Sequence, residues 1–407
     1  MSNNPLRTLL DKLEPIAAKN KFSHTLHDGL ATFLFQPNLV TQKGTHIQDG
    51  MDLKRTMVHV VLAMQLCLIH GIVNIGHQHY AAMGLYPGIT EGLIPKLVYG
   101  LLQLLPIIIV AHVVGLGIEF AFAAKKGHAI EEGFLVTGML IPLIVPPDIP
   151  LWMLAVATAY AVVIGKEAFG GTGMNVLNVA LTARVFLFFA YPTDISGDKV
   201  WVSYDYNLLH QGVSALFGDF LHIKENLSLA DGFSGATPLA LAAEGGWGAV
   251  TEKYSVGEML MGFIPGSVGE MNKPAVILGA LILIAAKIAS WRIMLSMIIG
   301  AVFTGLVMNG VAANPFMEVP FQYHFLMGSF FFAMAFMATD PVTAAGTNTG
   351  KLIYGFLIGM VGMIIRVLNP AYPEGWMLAI LLLNVFAPLI DHYVIQVNIS
   401  RRLSRAA

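Results

Sequence analysis

Three groups of residues in this chain have the types and spacing to do chemistry. The first is Asp231-Gly232-Phe233-Ser234-Gly235-Ala236-Thr237, two hydroxyls set among small residues. Small neighbours let a bulky group approach the backbone, and Asp231 is placed to hold a divalent ion or orient a reacting hydroxyl. The same run also reads as a Gly/Ser turn leading into an amphipathic piece, and local pattern alone leaves both readings open. The second is the run from Gly165 to Asn178, with four glycines within nine residues. Glycine costs up to about 1 kcal/mol relative to alanine inside a helix, so this stretch breaks one. Asn175 and Asn178 are three apart and on a helix would share a face, where two amides address the donor and acceptor edge of a planar heterocycle. A helix N-terminus with capping residues accounts for them as well. The third group is acidic: Glu119, Glu167, Asp340 and Asp391, each inside or beside an apolar run. Carboxylates suit a hard cation, although Asp340 as a helix cap and Glu119 and Asp391 in the headgroup region are equally reasonable readings.

The elements that hold these residues are set by composition. Of 407 residues, 56% are hydrophobic and 12% charged, with mean hydropathy +0.68. A soluble domain carries about 25% charged residues, so this is an all-α polytopic membrane protein. Net charge −2 gives no field for nucleic acid, and the lone Cys67 leaves no internal disulfide. The N-terminus lacks an apolar stretch before a small-residue cleavage site, so no signal peptide is expected.

At about 20 apolar residues per crossing, ten spans are predicted: 56–76, 98–123, 133–147, 150–166, 174–191, 274–290, 293–311, 324–340, 352–368 and 376–394. Lys54, Arg55, Lys125, Lys126, Lys166, Lys287, Arg292, Lys351, Arg401, Arg402 and Arg405 all fall on one side, which puts both termini in the cytoplasm. The chain then divides into a cytoplasmic extension (1–55), a five-helix repeat (56–191), an outer segment (192–272), a second five-helix repeat (273–394) and a cytoplasmic tail (395–407). Five spans per half make the second repeat inverted relative to the first. Pro146-Pro147-Asp148 and Thr339-Asp340-Pro341 become equivalent connections on opposite faces. The outer segment holds ten acidic residues against three lysines, and a stretch this long between spans is usually functional. His70, His77 and His79 lie near the outer end of the first span; no carboxylate or thiol completes a metal set, and interfacial hydrogen bonding accounts for them.

Taken together, Ser-Gly-Ala-Thr (234–237), Gly165-Lys166-Glu167-Ala168-Phe169-Gly170-Gly171-Thr172-Gly173, Ile264 to Glu270, Phe336 to Val342 and Asn369 to Gly375 resemble the B subunits of the Na+-translocating NADH:quinone oxidoreductases, with the D subunits of Rnf complexes as the next relatives. The stretch from Leu39 to Arg55 resembles the cytoplasmic extension of the B subunits. The resemblance implies FMN bound covalently through a phosphoester to Thr237, beside Ser234, Gly235 and Ala236, and attached by a flavin transferase. It implies non-covalent riboflavin at Asn175 and Asn178, with Met174 and Val179 standing where many relatives carry Arg and Pro. Ubiquinone and inhibitors are implied near Gly115 and Glu119 on Val113 to Glu119. The alternating stretch Phe22 to Phe35, with His24, His27 and Asp28, reads either as a cover over a quinone headgroup entrance or as a surface amphipathic helix, and its pattern leaves both open. Na+ would pass Glu119, Asp340 and Asp391. Partners implied are subunits A, C, D, E and F of a complex in the bacterial inner membrane. NADH is oxidised elsewhere in that complex, since Gly170-Gly171-Thr172-Gly173 follows a membrane span and lacks a βαβ context. Two other classes fit the bare span pattern: a cofactor-free inverted-repeat transporter and a passive scaffold.

Overall fold

The computed structural model describes residues 5–17, 20, 23–24, 27, 29, 31, 34–35, 43–45, 53–126, 133–196, 200–204, 207–217, 235–369 and 374–406. Among these, helices α1 to α14 are Pro5–Ala17, Leu53–Ala82, Leu93–Lys126, Phe134–Ile144, Leu151–Gly165, Val179–Ala190, Leu208–Phe217, Pro238–Lys253, Val256–Met261, Lys273–Ala285, Trp291–Val311, Phe330–Phe332 continued by the π-helical turn Ala333–Met337, Asn348–Leu368 and Trp376–Ala406. No strand occurs among the described residues.

Among the described residues six helices are long and apolar enough to cross a membrane: α2, α3, α5 with the turn that follows it, α11, α13 and α14. The others at membrane positions are short. Helices α4, α6 and α10 have 11, 12 and 13 residues, which at ~1.5 Å per residue is well short of a ~30 Å hydrocarbon layer. Expected span 174–191 shrinks to 179–190, because Asn178 takes extended backbone and caps the helix start, after a glycine-rich approach in which Gly170, Gly171 and Gly173 have positive φ. Span 324–340 shrinks to α12, preceded by a 3-10 turn at Phe321–Phe325 and Gly328 at φ +74°. Residues 395–406 continue α14 as helix.

Broken helices expose backbone groups that apolar surroundings cannot solvate, and local polar residues meet that demand. Asn178 accepts from the Leu181 amide at 3.1 Å to cap α6, and Asn272 accepts from the Ala275 amide at 2.7 Å to cap α10. The reach of α4 is extended by the loop before α10, whose Gly269 N–H donates to the Leu143 carbonyl at 2.8 Å. Asn74 of α2 holds the same loop by donating to the Ile264 carbonyl at 3.0 Å.

Packing repeats along the chain. Helix α3 packs on α5 and α5 on α6; α11 packs on α13 and α13 on α14. Across the middle, α2 packs on α10 and α6 on α14. The α11–α13 seam is close enough that a Cβ at Gly359 would lie 2.1 Å from the Met297 carbonyl oxygen, and small residues at such seams let helices pack without a side-chain layer.

Residues 200–204 and 207–217 dock on a polar network. Asp148, after the Pro146-Pro147 break, accepts from the Ser203 hydroxyl, the Gln103 amide at 2.8 Å and the Tyr204 N–H at 2.8 Å. His79 stacks on Tyr99 at 3.8 Å between ring centres and approaches the Ser203 carbonyl at 2.8 Å. His70 and His77 do not follow the hydrogen-bonding expectation: both rings pack edge-on against Phe263, and neither His70 nitrogen nor His77 Nδ1 has a hydrogen-bond partner among the described residues. In α7, His210 Nε2 meets the Tyr99 carbonyl at 3.1 Å. Burial lowers the His210 pKa to about 4, opposed by that bond. A histidine with a folded value of about 4 and an unfolded value near 6.5 takes up its proton more readily when released, so the docked state loses stability as pH falls from 6.5 toward 4. Limited proteolysis of the outer segment should accelerate over that range and flatten in His210→Gln; an equal pH dependence in both proteins would remove His210 as the cause.

Candidate functional site: two cavities joined by a short helix

The chemistry-bearing runs converge on two cavities. One, called outer after the side on which the sequence expects residues 192–272 (the other being called inner), is about 1270 Å³ and is lined by Thr237, Trp201, Phe188, Arg184, Ser267, Glu270 and Glu374 among others. Thr237 is half-buried and is the N-cap of α8, its hydroxyl oxygen accepting from the Ala240 amide at 3.2 Å with Pro238 at the first helical position. A helix N-terminus favours an anion by its dipole and unpaired N–H groups, so a phosphate carried on this hydroxyl would sit at the positive end of α8. Gly235 and Ala236 are buried just before it, and the Tyr254 hydroxyl clamps the turn by donating to the Ala236 carbonyl at 2.8 Å. Burial, then the nearby Glu258, raises the Tyr254 pKa, which keeps that donor protonated. Ser234 and Asp231 lie outside the described residues.

The floor of this cavity is ionic. Arg184 donates to the Ile144 carbonyl, pairs with Glu270 at 3.2 Å and Glu374 at 3.5 Å, and lies 5.5 Å from the Trp201 ring centre. Glu270 also accepts from Ser267, and Glu374 from the Ser329 hydroxyl and the Ser329 N–H at 3.0 Å. Arg366, fully buried, spends its donors on the carbonyls of His324 at 2.5 Å, Met327 at 3.0 Å and Glu374 at 3.3 Å. None of these four charged residues was marked by type and spacing. The available signal was Arg184 in the middle of the apolar run Val179 to Ala190, where an ionisable residue is by default functional.

The inner cavity, about 810 Å³, is lined by Lys166, Thr172, Asn175, Asn178, Phe336, Thr339 and Asp340, with Thr56 and Val60 of α2 opposite. Here the two asparagines do meet, but not on a helical face. Asn175 lies in the non-helical stretch and donates to the Leu177 carbonyl at 2.9 Å, while Asn178 is the cap of α6 and its amide donates to Asp340 at 3.4 Å. Asp340 also accepts from the Val342 N–H and the Thr343 hydroxyl, each at 3.1 Å. The cavity thus presents amide donors and acceptors, a carboxylate and an aromatic side chain, a set that complements a planar heterocycle. Glu119 is buried against Lys166 of the cavity wall, and Glu167 pairs with Lys126 at 2.9 Å.

Two expected residues stand apart. Gly115 is covered by Phe134, whose ring atom would lie 1.8 Å from an added Cβ, so the glycine lets α3 and α4 pack closely. Asp391 accepts from Gly346 N–H at 2.6 Å, Thr347 N–H at 3.0 Å and the Thr347 hydroxyl, bracing the start of α13 outside the inner cavity's lining. Asp28 lies outside the described residues. One helix serves both cavities. Asn178 and Val179 line the inner one, Arg184 and Phe188 the outer, and six residues of helix at ~1.5 Å each separate Asn178 from Arg184 by only about 9 Å along the axis.

The Lys166–Glu119 pair is testable on its own. Removing one member of a buried pair costs about 3–5 kcal/mol, whereas removing both is far milder. Lys166→Met should lower the melting temperature in detergent markedly, and Lys166→Met with Glu119→Leu should recover most of it. Equal loss in the single and double variants would show that the pair carries no such coupling.

Residues 40–400 match the model of the NQR2, RnfD, RnfE family. A Chromohalobacter salexigens protein, named as the B subunit of Na(+)-translocating NADH-quinone reductase, is 42% identical over 99% of this chain and 97% of its own length. Proteins of the same name from Pseudomonas aeruginosa strain LESB58 and Haemophilus influenzae strain PittEE are 41% and 38% identical, each over 98% of this chain and 99% of their own. With a family model covering most of the chain and relatives matched nearly end to end, this chain belongs to the NQR2, RnfD, RnfE family, among its Na(+)-translocating NADH-quinone reductase B subunits.

Proposed function

We propose that the chain is the membrane redox subunit of a Na+-pumping NADH:quinone reductase, carrying FMN on Thr237 in the outer cavity and riboflavin in the inner one. The observation that carries this reading is the placement of the two expected attachment runs in two separate cavities that share α6 as a wall. Bound flavins supply the electron chemistry; the protein's part is to hold, orient and tune them. Thr237 places a phosphate at a helix N-terminus, and the tether keeps the group at high effective concentration on a surface open to the outside. Trp201 and Phe188 offer apolar surface to a ring system, and Arg184 with the two carboxylates sets the local field. In the inner cavity Asn175 and Asn178 address the polar edge of a second ring, and Asp340 is an oxygen donor for Na+.

In this reading the ten membrane segments form two inverted five-helix repeats with both termini in the cytoplasm of a bacterial inner membrane. The recurrence of second-on-fourth and fourth-on-fifth packing in each half supports it, as does the similar use of Asp148 and Asp340 as acceptors just after the third segment of each half. Electrons arrive from the C subunit, pass outer flavin to inner flavin, and reduce ubiquinone near Glu119 on the inner side, with A, D, E and F completing the complex. Moving one charge against 100 mV costs about 2.3 kcal/mol, so ion export must be coupled to electron transfer, with Asp340, Glu119 and Asp391 as the candidate carboxylates.

Flavin fluorescence of the denatured protein on a gel tests the outer site: the band should fluoresce, and Thr237→Ala should be dark. A dark band from material matured in its native host would favour the transporter reading instead. For the inner site, Asn175→Ala with Asn178→Ala should reduce extractable riboflavin several-fold while the fluorescent band persists; unchanged riboflavin content would move that flavin elsewhere.

A further inference from the structure

A helix start makes two demands on its capping residue. Its side chain must accept from the first turn, and its own backbone N–H needs an acceptor. Helix α9 meets both locally: the Ser255 hydroxyl accepts from the Glu258 amide at 3.2 Å, and the Glu258 carboxylate accepts from the Ser255 N–H at 2.8 Å. Helix α6 carries Leu181 three residues after its cap Asn178, and leucine has no acceptor to offer. The acceptor comes from another helix. The Asn384 amide of α14 lies between the Asn178 N–H and the Ile380 carbonyl, 3.2 Å from each. The first of these only donates and the second only accepts, so the Asn384 oxygen faces Asn178 and its nitrogen faces Ile380. The nitrogen also donates to the Tyr354 hydroxyl of α13 at 2.6 Å. Asn384 and Tyr354 are buried, and neither is among the described residues that line the inner cavity.

Two polar rungs fix where Asn384 stands. Thr347 with Asp391 and, seven residues along each helix, Tyr354 with Asn384 join α13 to α14 in antiparallel register. Helix α14 in turn packs on α6. On Asn178 itself, Oδ1 accepts from the Leu181 N–H and Nδ2 donates to Asp340. An amide has two donor hydrogens and two acceptor lone pairs, so one of each remains for a ligand. We infer that Asn384 is a positioning residue of the inner cavity: it caps α6 from α14 and, with Tyr354 behind it, holds Asn178 in the attitude that receives riboflavin. The inference rests on the inner-site reading. Without this acceptor the start of α6 populates attitudes that turn the Asn178 amide from the ring edge, and apparent affinity falls with the competent fraction. Further riboflavin recovers such a loss, because the competent form persists, whereas it does not recover a lost fold.

The test equilibrates the purified complex with a riboflavin series and reads bound riboflavin by extraction, with size-exclusion chromatography confirming assembly. Asn384→Leu should raise the half-saturating riboflavin concentration about tenfold, as when the competent fraction falls to about a tenth, and should reach parent occupancy at saturation. Tyr354→Phe removes only the hydroxyl behind Asn384 and should shift half-saturation the same way by less. Asn384→Asp keeps an oxygen for the Asn178 N–H and should stay nearer the parent than Asn384→Leu. Unchanged half-saturation in assembled Asn384→Leu would overturn the inference. Occupancy that stays low at every riboflavin concentration would overturn it too, making Asn384 a determinant of folding alone. If Asn384→Leu does not assemble, Tyr354→Phe decides: a raised half-saturation supports the inference and a parental one defeats it. If Asn175→Ala with Asn178→Ala leaves riboflavin content unchanged, the inner-site reading itself fails and the inference falls with it.

Discussion

Broken helices inside an apolar body create a backbone problem, and its solution organises everything else in this protein. Each interrupted segment ends with carbonyls and N–H groups that no water reaches, and each such group left bare costs several kcal/mol. Two buried arginines take up much of the carbonyl side. Arg184 donates to Ile144 at the end of α4, and Arg366 donates to His324 and Met327 just before α12. Asparagine caps take up the amide side at α6 and α10. A guanidinium suits this task because its five donors serve several acceptors at once and it stays charged when buried.

Bringing charge inside has a consequence. Each arginine needs counter-charge, which Glu270 and Glu374 provide, and these carboxylates need further donors, which Ser267 and Ser329 provide. The polar cluster that results cannot be filled over with aliphatic side chains, so a large cavity opens above it, with Thr237 on its wall. At the other end of α6 the same logic operates with weaker groups: Asn178, Asp340 and Thr343 satisfy one another and the backbone, and the inner cavity forms around them. The structural solution to helix breakage and the chemical equipment of the sites are therefore one set of residues.

The short helix α6 ties the two sites together. Long helices would separate their ends by a membrane thickness; a 12-residue helix keeps them close. The π-helical turn at Ala333–Met337 has the same effect on the opposite wall, since Gly328 lines the outer cavity and Asp340 the inner one. π-helical turns are rare and recur at functional sites, and here the irregularity lets one segment wall two cavities.

Much of the architecture was readable in the order of residues. Apolar length and the scarcity of charge require a membrane body, Val145 to Pro150 requires a break between α4 and α5, and the glycines from Gly170 to Gly173 require a non-helical approach to α6. These are local consequences of side-chain transfer energies and backbone sterics, which need no partner. The grouping of Arg184, Arg366, Glu270 and Glu374 was not readable, because they come from four segments up to 190 positions apart. Nor were the contacts of Gly115, Asn175 and Asp391, with Phe134, the Leu177 carbonyl and the start of α13, since these depend on what lies opposite. Composition and spacing determine which pieces cross the membrane and where they break; which charges meet is decided only when the halves pack, because electrostatic energy depends on distance in space and not along the chain.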